Sequence, residues 1–538
     1  MEQVGGQTIH WIDLTIIGVY LVAITAIGLL VSRRQGQTSQ GYFLAGRSLR
    51  WPMIGLALFA TNISTVHLVG LASSGYGDGL VVGNFEWMAA SCLILLGLIF
   101  APFYFRNRIS TLPEYLERRY SPGSRTFLAF MAVVGALFIH IGVGLYAGSK
   151  VLEHFFAIDI YLSIILVAGL TVLYTVLGGL KAVVVTESIQ TFLLLIGALA
   201  VTLFGLQALG EAGIGSLEEL RAAVKPDQLS MVHREGGLAW YAILLGYPVL
   251  GIWYWCADQT IVQRVLGAQT QRDAQLGPLF AGFIKILPVF IMVLPGVMAY
   301  ALFRDEIGDQ ADQVLPFLID AWIPVGLKGL IAAGLLAALM STVAGALNSA
   351  STLVSLDIAR RLRPDMEDDQ LVRIGRITAC VVMVLATLWS TQGEHFGGIF
   401  NAVNAMIACL APPITVVFIW GVFWRRGTQQ AALWTLIVGF VLGAAVFVAD
   451  FPALGFEIIT QEWNIPFMMQ AWWLFVICSC LYVVVSLLTP PPEPRQLEGL
   501  CWERPLAALA GPLQKGSDPR LVAGILLGVM IILYIIFA

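Results

Sequence analysis

The sequence predicts an all-α integral membrane protein with about fourteen transmembrane helices built round a five-plus-five inverted-repeat core. Three observations predict it. Of 538 residues, 58% are hydrophobic and only 12% charged, with a mean hydropathy of +0.83, whereas a soluble domain carries about 25% charge. Apolar windows of about 20 residues, the length that crosses a bilayer, recur along the whole chain with mostly short connections. Lysine and arginine crowd onto alternate connections. With the N-terminus outside, 23 of the 30 fall on the inner side and 5 on the outer, while Lys285 lies within a span and Lys328 at an edge. That asymmetry is the positive-inside rule. It predicts a multi-pass protein of the cell membrane with both termini extracytoplasmic.

Residues 1–538 read as a single polytopic membrane domain. An extra N-terminal helix at 11–31 comes first. Acidic Glu2 and Asp13 precede its apolar run and no A-x-A site closes it, so it reads as a span and not as a signal peptide. Spans at 51–76, 81–104, 126–149, 159–178 and 182–209 form the first repeat (51–209). Spans at 239–258, 276–303, 325–354, 373–391 and 397–423 form the second (239–423). Helices at 430–449, 466–488 and 521–537 are additional, within 430–538. The connection 210–238 contains SLEELRAAV, which suggests a short surface helix. Seven cysteines without a CxxC pair support neither disulfides nor a zinc site.

The first span of each repeat is interrupted. In 51–76 the centre is Thr61-Asn62-Ile63-Ser64-Thr65, followed by His67; in 239–258 it is Gly246, Pro248 and Gly251. Broken backbone at membrane depth is tolerated only where it is buried in protein or lines a wet cavity. Interruptions at matching positions of two halves point to a transporter with its site near the midplane.

Polar residues concentrate there too. Asn62, His67, Glu86, Glu187, Lys285, Ser341, Thr342 and Asn404 lie inside apolar segments, where an ionisable group is costly unless paired or hydrated. Glu86 and Lys285 are read either as a buried bridge between helices or, with Asn62 and His67, as donors and acceptors for a hydroxyl-rich solute. Trp253, Tyr254 and Trp255 offer flat faces for a sugar ring, or anchor the chain at the interface. Ser341 and Thr342 supply adjacent hydroxyls for Na⁺, or serve small-residue helix packing. No nucleophile–base set, phosphate loop or metal-ligand cluster suggests an enzyme, and no nucleic-acid partner is expected.

The stretches YFLAGRSLRWP, ATNISTVHLVGLASSGY, FEWMAA, LYTVLGGLKAVVVTE, WYWCADQTIVQR, FIKILPVFIMVLPG, LNSASTLVSLDI and CLAPP resemble the sodium/solute symporter family, in particular its sodium–glucose and sodium–myo-inositol cotransporter branch. The resemblance runs from about Gly41 to about Arg425 and implies a LeuT-type fold. It implies a sodium site with backbone oxygens of Ala60, Ile63 and Ala338 and the hydroxyls of Ser341 and Thr342. Sugar contacts would fall on Asn62, His67, Glu86, Trp255 and Lys285. Tyr254 would close the inner side, and Leu71, Phe85 and Phe400 the outer.

The chain departs from the family's pattern at several positions. Asn404 replaces a glutamine and Gly251 a polar side chain of the glucose carriers, which bears on which hydroxyls are satisfied. Ala344 stands where two-sodium members have threonine, and Glu187 where they have aspartate. The expected function is therefore Na⁺-coupled symport of a hexose or myo-inositol by alternating access across the lipid bilayer, with one Na⁺ per solute. The alternatives are a sialic acid or amino acid as the solute, or a nutrient sensor or channel.

Overall fold

A computed structural model describes residues 10–33, 38–156, 159–392, 399–450, 456–504, 509–510 and 517–538, apart from the side chains of 66, 151, 154–156 and 399–405. Nearly all of these residues are helical. Among them twelve helices are long and apolar enough to span a membrane, thirteen with one bent pair counted as a span. The expected number is fourteen. The difference includes the stretch Ile160–Glu211, whose 52 residues are two helices joined at a kink and together hold about 78 Å of helix at 1.5 Å per residue, more than one crossing of a bilayer's hydrocarbon core requires.

The sequence divides that helix between 178 and 182, and the backbone does leave the helical region there, at Gly179 (φ 56°, ψ −161°). Only glycine adopts these angles without strain. A Cβ at this position would also lie 2.5 Å from the carbonyl oxygen of Tyr42. Gly179→Ala is therefore expected to lower the thermal unfolding midpoint in detergent by several degrees, at a cost of about 1–3 kcal/mol for the strain alone.

The first interruption lies where the sequence puts it. Helix Trp51–Asn62 ends at Ile63 (φ −78°, ψ 108°), Ser64 is extended, and a second helix runs Thr65–Gly77. The two halves meet at 63°. Ser64 caps the second half, with His67 completing the capping box.

The second interruption is displaced from its expected place. The helix Trp240–Ile252 runs straight through Gly246, Pro248 and Gly251. It then widens into a π-helical turn, Trp253–Ala257, and breaks at Asp258 (φ −87°, ψ 125°), which caps the helix Gln259–Leu266. The glycines serve packing here. A Cβ on Gly246 would sit 2.2 Å from the carbonyl oxygen of Met468, so the residue admits a neighbouring backbone and leaves its own helix intact.

The scaffold round these breaks is dry and tightly joined. Helix Leu327–Leu353 is buried along almost its whole length and packs on Ile160–Glu211 and on the N-terminal helix Trp11–Ser32. Asp13 of the latter accepts from the amides of Gly326 (2.8 Å) and Gly329 (2.7 Å), stabilising the positive end of Leu327–Leu353. Arg119, fully buried, donates to the carbonyls of Gly421 (3.0 Å), Trp424 (3.0 Å) and Gly427 (3.1 Å), satisfying the orphan end of Ile399–Phe423. The surface helix expected from SLEELRAAV is Leu217–Ala223, with a Ser216–Glu219 capping box.

Candidate functional site

The first break delivers two chemistries to two sides. On one side its freed carbonyls meet hydroxyls of Leu327–Leu353. Ser341 Oγ donates to the carbonyls of Ala60 (2.8 Å) and Ala338 (2.9 Å). Thr342 Oγ1 lies 3.2 Å from the carbonyls of both Thr61 and Ala338. Ala60, Ala338, Ser341 and Thr342 are thus brought together as an uncharged, all-oxygen set on buried backbone. Ile63 lies at the break itself, and no hydrogen bond among the described residues joins it to the set. Hard neutral oxygens of this kind suit a small monovalent cation such as Na⁺. Among the described residues no group of three or more His, Cys, Asp or Glu could hold a metal.

Beside this set lies a closed ionic network. Glu187, with no exposed surface, pairs with the guanidinium of Arg264 through both carboxylate oxygens. It also accepts from Thr61 Oγ1 at 2.9 Å. Arg264 belongs to the helix after the second break and Thr61 to the end of the helix before the first. One carboxylate therefore ties both broken spans to the long helix.

On the other side of the first break is a cavity of about 140 Å³. Asn62, His67, Glu86, Gly251, Tyr254 and Trp255 line it, together with Phe85 and Thr342. Asn62 Nδ2 donates to the Tyr254 hydroxyl at 3.2 Å. Tyr254 and Trp255 meet edge-on, with centroids 5.1 Å apart.

Lys285 stands behind this wall. Its ammonium donates to Glu86 Oε2 and Asn62 Oδ1 and faces the rings of Trp255 (5.7 Å) and Phe59 (5.9 Å). The buried bridge and the cavity-lining carboxylate are one arrangement: Glu86 belongs to both. Leu71 is buried in the core and is absent from the described cavity wall. The side chains of Asn404 and Phe400 lie outside the described residues.

Thr61 and Ser64, part of the polar centre of the first interruption, also line the cavity. His140 and Tyr247 do so too, and they escape the sequence reading. His140 lies 3.5 Å from Asp258 and 6.4 Å, ring to ring, from Tyr254. Its signal is visible in retrospect as the lone polar residue of LFIHIGV. Tyr247 has none, since a tyrosine in an apolar span is ordinary.

The family model described as "Sodium:solute symporter family" matches residues 42–439. The chain is 32% identical to sodium/glucose cotransporter 4 of Danio rerio, over 92% of this chain and 81% of that protein. It is 34% identical to the sodium/myo-inositol cotransporter of Homo sapiens, over 90% and 74% respectively. It is also 34% identical to the sodium/mannose cotransporter SLC5A10 of Bos taurus, over 92% and 90%. Among solved structures, a substrate-bound, outward-open Na⁺-coupled sialic acid symporter superposes with a TM-score of 0.77 at 22% identity, covering 90% of this chain and 99% of its own. The nucleobase–cation symporter Mhp1 does so with a TM-score of 0.53 at 14% identity, covering 85% and 97%. At these identities the two structures carry the fold alone.

Proposed function

The chain belongs to the sodium:solute symporter family, and from that premise we propose that it is a secondary active transporter, not an enzyme, moving a hexose or inositol-like polyol together with Na⁺. The observation that carries this reading is the double use of one broken helix. The carbonyl of Ala60 joins the hydroxyl set of Ser341 and Thr342, while Asn62, two residues on, lines the cavity. An ion bound at Ala60, Ile63, Ala338, Ser341 and Thr342 holds the break in the shape that presents Asn62 and His67 to the solute. Ligands shift a conformational equilibrium only through differential affinity, so these oxygens separate as the inward state forms.

Residues of the wall divide the work. Glu86 and the outward amide of Asn62 bind hydroxyls, Trp255 and Tyr254 offer ring faces, and Tyr254 closes the inner side. Lys285 orients Glu86 and Asn62 from behind. Leu71, Phe85 and Phe400 form the outer gate, and Asn404 completes the solute contacts. One Na⁺ per solute is supported by the Glu187 carboxylate being engaged by Arg264 and Thr61, and by Ala344 carrying no side-chain oxygen. An anionic solute such as sialic acid is disfavoured by the Glu86 carboxylate in the wall. The 23-to-5 basic asymmetry supports both termini lying outside.

One charge crossing 100 mV and a tenfold Na⁺ gradient together provide about 3.7 kcal/mol, enough for several-hundredfold accumulation. Uptake into liposomes with an inward Na⁺ gradient, against the same gradient of K⁺, tests this. The panel is glucose, galactose, fucose, myo-inositol and sialic acid. Uptake of a neutral sugar or polyol should require Na⁺ and rise hyperbolically with it. Equal uptake in K⁺ would overturn the symport reading, and a sigmoidal Na⁺ dependence the single-ion one.

A further inference from the structure

One wall of the cavity is built differently from what the resemblance to glucose carriers implies. Tyr247, Leu250, Gly251 and Tyr254 succeed one another at helical spacing and all line the cavity. A Cβ on Gly251 would lie 2.6 Å from Cys92 Sγ, and 2.8 Å and 3.3 Å from Cε1 and Cδ1 of Tyr247. The space a side chain at 251 requires is thus held by the Tyr247 ring, one turn earlier, and by a thiol of the helix Asn84–Leu95 that carries Glu86.

The ring is fixed at both ends. Its hydroxyl donates to the carbonyl of Phe85 at 2.8 Å, immediately before Glu86. Its face meets the Phe85 ring at 72°, with centroids 6.1 Å apart. The hydroxyl's proton is thereby committed to backbone, its oxygen is engaged by the Trp255 side chain, and Cys92 and Leu250 add no strong donor or acceptor. Among the described residues this corner offers a solute carbon and sulfur surface, whereas Glu86, Asn62 and His67 offer polar groups elsewhere on the same wall.

We propose that Tyr247 is a specificity-determining residue, and that with Gly251 and Cys92 it seats a carbon–hydrogen face or deoxygenated position of the solute. This rests on the sugar or polyol reading above. A polar side chain at 251 would bind a hydroxyl at that point. Here a hydroxyl directed at the corner finds no partner, which lowers its carrier's affinity by about tenfold. Gly251 cannot take a side chain alone. The glycine is required by the ring, and the ring is accommodated by the glycine.

The test is Na⁺-driven uptake into liposomes by the full chain and four variants: Tyr247→Phe, Tyr247→Leu, Gly251→Thr and the double Tyr247→Leu/Gly251→Thr. The solutes are D-glucose, its 2-, 3-, 4- and 6-deoxy analogues, D-galactose and myo-inositol. The melting temperature of each purified variant is measured alongside. Wild type should transport at least one deoxy analogue as well as its parent or up to about tenfold better, because the missing hydroxyl had no partner. Tyr247→Phe should retain that ranking. Gly251→Thr alone should lose about tenfold or more in uptake and melt lower, through collision with the ring and thiol.

The double variant should regain part of the melting temperature and transport, because the ring is gone and only the Cys92 thiol still crowds residue 251, and now penalise the same deoxy analogue by about tenfold, because the introduced hydroxyl binds its parent. An unchanged ranking in the double variant, or wild-type behaviour of Gly251→Thr, would overturn the proposal. Absence of Na⁺-dependent uptake of every solute by wild type would instead strike at the function itself, and is told apart by appearing before any substitution.

Discussion

The double variant Ser341→Ala/Thr342→Ala is expected to lose most of the Na⁺ dependence of uptake. Each hydroxyl bridges carbonyls of two helices, 2.8 Å and 2.9 Å for Ser341 and 3.2 Å twice for Thr342. Each is also a candidate ion ligand. A hydrogen bond or ligand contact involving a charged partner contributes about 1.5–3 kcal/mol, so removing one should raise the half-saturating Na⁺ concentration about tenfold to a hundredfold. Removing both compounds the loss. Uptake and melting temperature should be followed as Na⁺ is titrated, the second reporting ion binding without turnover. A half-saturation that stays at the wild-type value would show that the ion binds elsewhere.

The second large effect is expected at the Glu86–Lys285 pair. Their side chains are 2% and 1% exposed, and the ammonium is also held by Asn62. Lys285→Ala leaves a buried carboxylate unpaired, and Glu86→Gln leaves a buried ammonium so. Breaking one side of such a pair costs about 3–5 kcal/mol, and either variant should melt much lower and transport little.

Replacing both, as Glu86→Gln/Lys285→Met, removes the uncompensated charge. The melting temperature should then recover, since an apolar or neutral substitute for a buried pair is often no worse than the pair itself. Transport should not recover, because Glu86 also lines the cavity. Recovery of both properties would assign the pair to structure alone. Recovery of neither would mean that the aliphatic replacement fails to pack.

The pattern of what was legible follows from the range of the forces involved. Bilayer crossing is a local demand: a run of about 20 residues must be apolar whatever lies beside it. The membrane class and its spans are therefore written in composition and windowed hydropathy. The first break was legible for a related reason. Thr61 to Thr65 is a cluster of side chains too polar for lipid contact, so its departure from regular helix needed no knowledge of neighbours.

The second break was misplaced because glycine and proline carry two meanings. Gly246, Pro248 and Gly251 read as helix breakers, yet each lies inside an intact helix. The actual interruption begins at a π-helical turn of large aromatics. Whether a glycine bends a helix or admits a neighbour depends on what packs against it, here Met468 for Gly246 and Cys92 with Tyr247 for Gly251.

Lys285 illustrates the same limit for charge. Its cost at membrane depth announced a function or a partner, but only packing set it behind Glu86 and Asn62 and out of the described cavity wall. His140 and Tyr247 joined the wall without any announcement, because one histidine or tyrosine in an apolar helix has no preferred side until its neighbours are placed.

By itself the sequence determined that this chain crosses a membrane many times, that the first span of its first repeat is interrupted within Thr61–Thr65, and that hydroxyls at 341 and 342 lie at membrane depth. Tertiary structure alone decided that those hydroxyls meet the carbonyls freed by the break. It also decided that Glu187 is already engaged by Arg264, and that the place left empty at Gly251 is filled by Tyr247. The physical reason is that hydropathy is summed along the chain, whereas hydrogen bonds and packing are settled across residues hundreds of positions apart, within a few ångströms.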